Sequence, residues 1–408
     1  MRLRREAVWN MITIREKSEC CGCAACASVC PQSCICMEPD EEGFLYPRTA
    51  REKCVNCGLC ERVCPVINRA EEIPHKQSAY LVQNRDEQIL KESTSGGAFT
   101  AIAQEVIRRG GVVFGAAFDG HFLVCHQFVQ TEGELEKFRN SKYVQSEIGE
   151  TFLQAKHFLD LGRLVCFSGT PCQIEGLKNF LLHPYENLIA VDVVCRAVPS
   201  PLIWEKYKSL RTNGKSDLLA LAAFRDKEPY GYEYSQMSVT VQGGKKQHYG
   251  VESDPYLRAF FSNLSDRPSC YACPSKKRYR VSDLTIWDCF NVYKFSKDFD
   301  DNRGATRILV HTSKGTEIIT SLHKACRIRE IGAEDAIKGV KELVCSVPVN
   351  AGRRAFFEDA NKMECRQFFD KWFPLSAKVR LEYAVRVSCE KLGIYRPVKR
   401  IMKKAFRK

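Results

Sequence analysis

Two cysteine runs with one spacing carry the clearest chemistry in this 408-residue chain, and each reads CxxCxxCxxxCP. In such a run a tight turn groups three thiolates on one side of a small cavity, while the fourth cysteine points at the other cavity. We therefore predict two 4Fe–4S clusters with crossed ligation. One would be bound by Cys20, Cys23, Cys26 and Cys64, and the other by Cys54, Cys57, Cys60 and Cys30. Structural zinc is the alternative, but separated CxxC pairs would not need a third cysteine and a proline at fixed offset.

The composition indicates a globular protein of two or three domains, because 44% of the residues are hydrophobic and no long polar tract interrupts the chain. Residues 1–10 are charged and lack the apolar core of a signal peptide. Half of the 22 cysteines lie within residues 20–64 at metal-binding spacing, so we expect the protein to be located in the reducing cytoplasm. No apolar run approaches the roughly 18 residues that a membrane span needs.

The net charge of +13 is concentrated at the C-terminal end, where residues 376–408 hold 11 Lys and Arg against two Glu. The apolar residues of this tail follow helical spacing with basic residues on the other face. They are Val398, Ile401, Met402, Ala405 and Phe406. Such a helix predicts peripheral contact with anionic lipid or with an acidic partner surface. Nucleic acid is not expected, because the rest of the chain has no zinc-finger, helix-turn-helix or RNA-binding motif.

The chain is predicted to have an α+β fold in three parts: a dicluster ferredoxin-like unit at 1–73, an α/β domain with a mixed sheet at 74–345, and a helical basic extension at 346–408. The first unit should contain a strand over Met11–Arg15 and a connection at Phe44–Pro47. Strands are predicted at Ala79–Gln83, Gly111–Phe118, Arg163–Phe167, Leu188–Val194, Leu219–Phe224, Ser235–Val241, Leu284–Trp287 and Arg307–His311, and helices at Ala98–Arg109, Glu147–Leu161 and Gln173–Leu182. A return strand after Gly244 and a final strand pair before residue 345 would complete the sheet.

Cys172 lies after a predicted strand and a tight turn, at the start of a helix whose dipole should lower its thiol pKa. It is either a nucleophile or a metal ligand, and nothing local decides between them. Adjacent parallel strands should bring Cys172 and Cys195 to one carboxyl edge of the sheet. Cys270 and Cys273, a CxxC before proline, would complete four thiolates and a third metal centre.

A glycine-containing segment, STSGGAF at Ser93–Phe99, opens the predicted helix Ala98–Arg109. Its free backbone N–H groups and the helix dipole would accept a phosphate, although Ser and Gly are also ordinary capping residues. No GxGxxG follows a strand, so a Rossmann dinucleotide fold has no support.

Several motifs occur in the order seen in one family: CCGCAAC, STSGGAF, RNSKYVQS, FSGTPCQIEGLK, VDVVCRAVPSP and RPSCYACP followed by SDLTIWD. Over about residues 11–345 the chain resembles the beta-subunit family of deazaflavin-coenzyme hydrogenases and dehydrogenases, in its ferredoxin-fused bacterial branch. The resemblance implies FAD beside a third 4Fe–4S cluster whose ligands match Cys172, Cys195, Cys270 and Cys273. It also implies electron transfer between iron–sulfur centres and flavin, then hydride exchange with a deazaflavin or another small organic substrate.

The resemblance further implies which residues face the flavin. They are Ser95, Gly96, Gly97, Ser141, Lys142, Tyr143, Asp283 and Asp288. Lys142 is the expected phosphate partner, with a surface lysine before a strand as an equally good interpretation. The two aspartates bracket a strand at the flavin edge, or else pair with the basic residues at 276–280. No catalytic acid or base is identified.

Two departures from the family pattern bear on the substrate pocket. Arg196 and Ala197 stand where the branch usually has His-Gly, and Trp287 stands where a glycine would allow close approach of a planar ring. The pocket is therefore expected to be reshaped or closed.

The leading hypothesis is a cytoplasmic iron–sulfur flavoprotein oxidoreductase. Electrons from a redox protein such as ferredoxin would enter at the N-terminal clusters, pass to the third cluster and reach FAD and an organic substrate. The alternative is an electron-transfer adaptor without its own substrate, docked through its basic tail, and the changes at Trp287, Arg196 and Ala197 favour it somewhat.

Overall fold

The computed structural model describes residues 11–405 and confirms the α+β fold class. The sequence inferences that involve Met1–Asn10, Phe406, Arg407 and Lys408 lie outside the described residues. The N-terminal unit is built from two short helices and one antiparallel hairpin. These elements are α1 Ala25–Ser28, β1 Ile35–Pro39, β2 Leu45–Thr49 and α2 Leu59–Arg62.

One sequence prediction for this unit is wrong. Met11–Arg15 is irregular instead of a strand, because Met11 and Ile12 are buried beside cysteines and the Ile12 N–H donates to the Cys60 sulfur at 3.2 Å. The Ile12 N–H therefore hydrogen-bonds a cysteine sulfur and is not available to pair with a neighbouring strand. Phe44–Pro47 lies in the connection between the two halves, where most of it belongs to β2 and Leu45 pairs with Pro39.

The remainder of the chain is strands and helices in alternation, followed by helices alone. The strands are β3 Ser78–Asn84, β4 Val112–Phe118, β5 Val124–Val129, β6 Val165–Gly169, β7 Leu188–Val193, β8 Leu219–Asp226, β9 Gln236–Val241, β10 Gln247–Tyr249, β11 Leu284–Asp288, β12 Thr306–Val310 and β13 Cys326–Ile331. The helices are α3 Glu87–Glu92, α4 Ala98–Arg108, α5 Thr151–Asp160, α6 Pro171–Leu181, α7 Pro201–Arg211, α8 Pro255–Phe261, α9 Ser313–Ser321, α10 Ala333–Ile337, α11 Lys341–Val344, α12 Arg353–Lys362, α13 Cys365–Trp372, α14 Ala377–Lys391 and α15 Tyr395–Ala405.

The central sheet has eight strands within residues 11–405, in the order β13-β3-β12-β11-β7-β6-β4-β5. Strands β3, β11, β7, β6 and β4 run in one direction, while β13, β12 and β5 run against them. The five parallel strands therefore end on one side, which we call the carboxyl edge. A separate antiparallel sheet of β10, β9 and β8 lies beyond α7 in the chain.

The sheet is covered on both faces, as its continuously apolar strands require. Every residue of β12 is buried, and α4 and α9 pack with it in one core, whereas α5 and α6 pack in another. The predicted final strand pair is a single strand, β13, which pairs with β3. The residues after it form α10 and α11 instead.

The N-terminal unit packs directly against α6. An ideal Cβ on Gly176 of that helix would lie only 2.8 Å from the Cys23 sulfur, so glycine is what allows this approach. The buried Arg267 guanidinium strengthens the contact by donating to the carbonyls of Cys20 at 2.8 Å and Leu45 at 2.9 Å. The cysteines of the N-terminal unit are thereby held beside the start of α6.

The basic tail contacts its own chain through α15. Arg396 hydrogen-bonds Asp300 and also donates to Glu233 at 3.1 Å, and the Lys399 ammonium donates to the Glu233 carbonyl at 2.7 Å. Some of the predicted acidic contact is therefore intramolecular, and lipid contact stays a prediction. Within residues 11–405, every helix is too short or too polar to cross a bilayer.

Candidate functional site

One group of thiols lines a cavity in the N-terminal unit. The motif cysteines that line it are Cys30, Cys54, Cys57 and Cys60. Gly58 adopts φ +70° at the start of α2, which places Cys60 in the first turn of that helix. Cys57 is exposed, so this cavity borders the protein surface. Cys30 comes from the other run, as crossed ligation predicts.

A second group contains Cys20, Cys23, Cys26 and Cys64. Burial, followed by the nearby Cys20 and Cys64 thiols, raises the pKa of Cys26. Burial likewise raises the pKa of Cys64, and Cys20 adds to that effect. Cys64 therefore lies near Cys20 and Cys26 of the first run as well as near Cys60 of its own run, and its place in the crossed set stays a prediction.

The third group lies at the carboxyl edge of the central sheet. Thr170 caps α6 and Pro171 occupies its first turn, which fixes Cys172 just beyond β6, while Cys195 follows the neighbouring β7. Cys270 and Cys273 come from a short 3-10 helix at Pro268–Ala272 and the residue after it. The structure therefore brings together strand ends and a distant CxxC.

These thiols are close enough to influence one another. Burial, with Cys172 and Cys273 adding to it, raises the pKa of Cys195 to about 12. Burial and then Cys172 raise the pKa of Cys273 to about 11. The Lys276 ammonium opposes these effects, and it also hydrogen-bonds the Cys195 carbonyl. As free groups these thiols are protonated at neutral pH, so metal binding would release protons.

The lowered pKa predicted for Cys172 is wrong. Its hydrogen bond with Cys21 and its burial raise the pKa of this thiol, and they outweigh the opposing effect of the Thr170 hydroxyl 3.2 Å away. Cys21 also hydrogen-bonds Cys23 of the second group. Cys21 thus connects the second group of thiols with the third, a contact that depends on docking of the N-terminal unit.

The spacing of the thiols distinguishes a cluster from zinc. Four thiolates on one zinc ion, each about 2.3 Å from it, lie about 3.8 Å apart. Within residues 11–405 no three thiols come within 4.8 Å of one another, and only Asp226, Glu228 and His248 converge that closely. Lys246 already binds both of those carboxylates. The described thiols are therefore not arranged as a single-ion tetrahedron, and a 4Fe–4S cubane stays the prediction for each set.

The glycine loop reaches the carboxyl edge, but its polar groups bind the protein. The Ser95 hydroxyl donates to the Ala305 carbonyl at 2.6 Å, and the Gly96 N–H donates to the Thr306 hydroxyl at 2.9 Å. A Cβ on Gly96 would lie 2.2 Å from the Val82 carbonyl oxygen. Packing against β3 and β12 therefore accounts for this glycine, while Gly97 supplies the φ +72° that starts α4.

The segment at 141–143 adjoins that loop, because the Ser141 N–H donates to the Thr94 hydroxyl at 2.7 Å. The Lys142 ammonium donates to the carbonyls of Lys137 and Arg139 at 2.7 and 2.8 Å. Burial lowers its pKa to about 7. These bonds direct the Lys142 ammonium at backbone carbonyls of its own chain. Its position therefore matches neither interpretation made from sequence, the phosphate partner or the solvated surface lysine.

Asp288 and Asp283 are at opposite ends of β11. Asp288 reaches the carboxyl edge, whereas Asp283 is buried where it accepts from the Ala190 N–H at 2.7 Å and the Thr312 hydroxyl at 2.6 Å. Asp283 thus stabilises the sheet instead of facing the flavin edge. It does not pair with the basic residues at 276–280 either: there Arg280 pairs with Asp192 at 3.1 Å.

Arg225, at the end of β8, is a site residue that the sequence interpretation missed. Its guanidinium donates to the carboxylate of Asp288 at 3.3 Å and to the hydroxyl of Tyr143 at 3.5 Å, so it joins two predicted flavin residues. Its buried Nη2 has no hydrogen-bond partner among the described residues. The available signal was one arginine ending the apolar strand sequence LALAAF, which does not reveal its partners.

A small cavity lies beyond the Tyr232 and Phe290 rings, which Arg225 contacts. Its lining includes Tyr232, Phe290 and Arg396, together with Glu233 and Asp300, which pair with Arg396. Phe290 stacks on Tyr232 with ring centroids 5.0 Å apart, and the Arg225 guanidinium lies 4.9 Å from the Phe290 ring. This part of the carboxyl edge therefore combines aromatic faces with buried positive charge.

The departures from the family pattern are structural in this chain. Trp287 is buried with Ala79 and Leu309, below the Arg307 guanidinium at 5.2 Å, and it lies on the opposite face of β11 from the Asp288 side chain. Arg196 donates to the Asn263 amide oxygen at 2.7 Å. Trp287 therefore belongs to the core, and Arg196 holds the segment that follows Cys195. The sheet face that carries the Asp288 side chain is not filled by Trp287.

Fold and thiol geometry together define an iron–sulfur electron-transfer protein with a ferredoxin-like unit joined to an α/β domain. Residues 49–66 match the 4Fe-4S binding domain family. Residues 162–335 match the family described as the C terminus of the coenzyme F420 hydrogenase/dehydrogenase beta subunit, and this segment confirms the resemblance inferred from the motifs. A chain of the F420-reducing nickel–iron hydrogenase complex from Methanosarcina barkeri is similar with a TM-score of 0.44 and 14% identity, covering 74% of this chain and 94% of that one. No curated protein matches the sequence.

Proposed function

We propose that this chain is an iron–sulfur flavoprotein oxidoreductase that carries electrons between a redox protein, such as ferredoxin, and a small organic molecule at the carboxyl edge. The observation that carries the proposal is the contact of Cys21 with both Cys23 and Cys172. It joins the thiols of the ferredoxin-like unit to the third set. Bound clusters would supply single-electron transfer, and FAD would couple it to two-electron chemistry.

The chain's own residues would hold the three clusters in graded environments. Cys57, in the set with Cys30, Cys54 and Cys60, is exposed, whereas Cys270 of the third set is buried. The set near the surface suits exchange with a protein partner, and the buried set suits transfer inside the molecule. Lys276 places a positive charge beside Cys195 and so offsets thiolate charge there.

At the carboxyl edge, Arg225 is the residue best suited to bind the flavin. Its unpartnered Nη2 offers a hydrogen-bond donor, and its positive charge would stabilise an anionic group. Asp288 and Tyr143 accept hydrogen bonds from Nη1, and Ser235 accepts one from Nε, so the guanidinium is held in place. Buried Lys227, which donates to the carbonyls of Leu90 at 2.6 Å and Ser95 at 2.8 Å, holds the glycine loop beside it.

An electron-transfer adaptor without its own substrate is the second candidate. The bonding of Ser95, Gly96 and Lys142 to other parts of the protein favours it, since these groups would otherwise be the phosphate donors. In this case the three thiol sets would bind clusters, and the chain would relay electrons between two partner proteins. The contact through Cys21 serves both candidates equally.

Flavin binding separates the two candidates. Protein reconstituted anaerobically with iron, sulfide and FAD should show a flavin spectrum that reduced ferredoxin bleaches. Arg225→Met should lower the flavin content at unchanged iron content, while Lys142→Met, as the matched loss of a buried cation, should retain flavin. If the protein binds about twelve irons, which corresponds to three clusters, but no flavin, the result would support the electron-transfer adaptor. Reoxidation of the reduced flavin by a deazaflavin coenzyme then tests that substrate.

A further inference from the structure

A fifth thiol lines the cavity surrounded by Cys30, Cys54, Cys57 and Cys60. Cys34 belongs to neither CxxCxxCxxxCP run, yet it is buried in that cavity next to β1. Its sulfur lies 3.3 Å from the Cys30 sulfur, and its backbone N–H donates to the same sulfur at 3.4 Å. The Cys34 N–H is therefore directed at Cys30, and its thiol lies beside Cys30 and also next to Cys54, another motif cysteine of this cavity.

The two halves of the N-terminal repeat differ at this point. Cys34 lies four residues after the last cysteine of the first run, and Asn68 occupies the same position after Cys64. The Asn68 amide donates to the carbonyls of Glu61 and Arg62 instead of a sulfur. The CxxCxxCxxxCP motif thus does not require a thiol at this position. Cys34 is present beside the first run and has no counterpart beside the second.

Chemistry assigns the direction of the Cys34–Cys30 hydrogen bond. Four irons take four thiolates, so a cluster held by the motif cysteines leaves Cys34 as a thiol. A Cys30 sulfur that binds iron carries no proton, and Cys34 must therefore be the donor. Hydrogen bonds to ligand sulfurs draw away negative charge and make a cluster easier to reduce.

We propose that Cys34 is a positioning residue that donates a hydrogen bond to the Cys30 ligand and raises the reduction potential of this cluster. The inference rests on the proposed function, because it assumes a cluster in this cavity. It concerns the cluster set that borders the surface at exposed Cys57. A raised potential there would favour acceptance of an electron from an external donor protein.

The test compares three variants of the full chain, each reconstituted anaerobically and titrated reductively with detection by electron paramagnetic resonance. Cys34→Ala removes the side-chain donor and should shift one cluster midpoint to a more negative value at unchanged iron content. Cys34→Ser keeps an O–H donor and should restore most of the shift. Cys36→Ala is the matched control, because Cys36 is exposed on β1, two residues after Cys34, and its thiol contacts Glu38.

Two results would overturn the inference. Unchanged midpoints in Cys34→Ala would show that its hydrogen bond does not tune the cluster. Loss of about four irons in that variant would show that Cys34 is a ligand and not a donor. Failure of the wild-type chain to bind any cluster is a different result, since it contradicts the proposed function itself.

Discussion

Gly176 makes a close contact between the α/β domain and a predicted cluster ligand of the ferredoxin-like unit. An ideal Cβ at this position of α6 would lie 2.8 Å from the Cys23 sulfur and 2.9 Å from the Cys23 Cβ. A free thiol can rotate away, but a sulfur bound to iron is fixed, and the Cβ cannot move without its backbone. We therefore predict that Gly176→Ala destabilises the cluster-loaded protein.

The magnitude follows from two opposing effects. Replacing glycine by alanine inside a helix is worth about 1 kcal/mol of intrinsic helix stability. Forcing a methyl group into a packed contact costs about 1–3 kcal/mol. Because two Cys23 atoms are approached at once, we expect overpacking near the top of that range, and a net loss of about 1–2 kcal/mol in the free energy of unfolding.

The assay is the apparent melting temperature of anaerobically reconstituted protein, with iron content measured on the same sample. Gly133→Ala is the matched control, because a Cβ at Gly133 meets nothing within 4 Å in the described chain. Gly176→Ala should melt below the wild type, and Gly133→Ala close to it. A Gly176→Ala protein that melts at or above the wild-type temperature with full iron content would refute this reasoning.

Three further predictions follow from the site. Changing Cys270 and Cys273 together to Ser should remove about four of about twelve irons, and a full iron content on chemical analysis would exclude this ligand pair. Glu175 and Lys277 form a buried pair at 2.9 Å between α6 and the loop after Cys273, so Glu175→Gln should lower the free energy of unfolding by about 3–5 kcal/mol. Adding Lys277→Met should recover much of this loss in denaturant titrations, and a purely additive loss would contradict the pairing. Burial lowers the pKa of His126 to about 4, so between about pH 6.5 and 4 the unfolded chain binds a proton that the folded chain excludes. Stability should therefore fall by up to about 1.4 kcal/mol per pH unit as pH falls through this window, and His126→Gln should show a shallower slope by urea denaturation.

Residues that act within a local motif could be predicted from sequence. The crossed cysteine sets follow from a repeated spacing, and the meeting of Cys172 with Cys195 follows from two neighbouring parallel strands. Both inferences need only short-range geometry and one rule of sheet topology.

Residues whose environment is built by distant segments could not be predicted. The pKa of Cys172 is raised through Cys21, which arrives only when the N-terminal unit docks. Arg225 finds Asp288 across 63 positions of sequence. Asp283 resembled a site residue because the sequence does not say which end of β11 reaches the carboxyl edge, whereas the pairing of Leu284 with Val191 does.

The central claim is that three separate sets of four thiols each hold a four-iron cluster in this chain. Its most direct test is the iron and acid-labile sulfide content of the full chain, reconstituted and purified without oxygen. The account predicts about twelve irons and about twelve sulfides per chain. Zinc without sulfide, or no more than about eight irons in fully loaded protein, would contradict it.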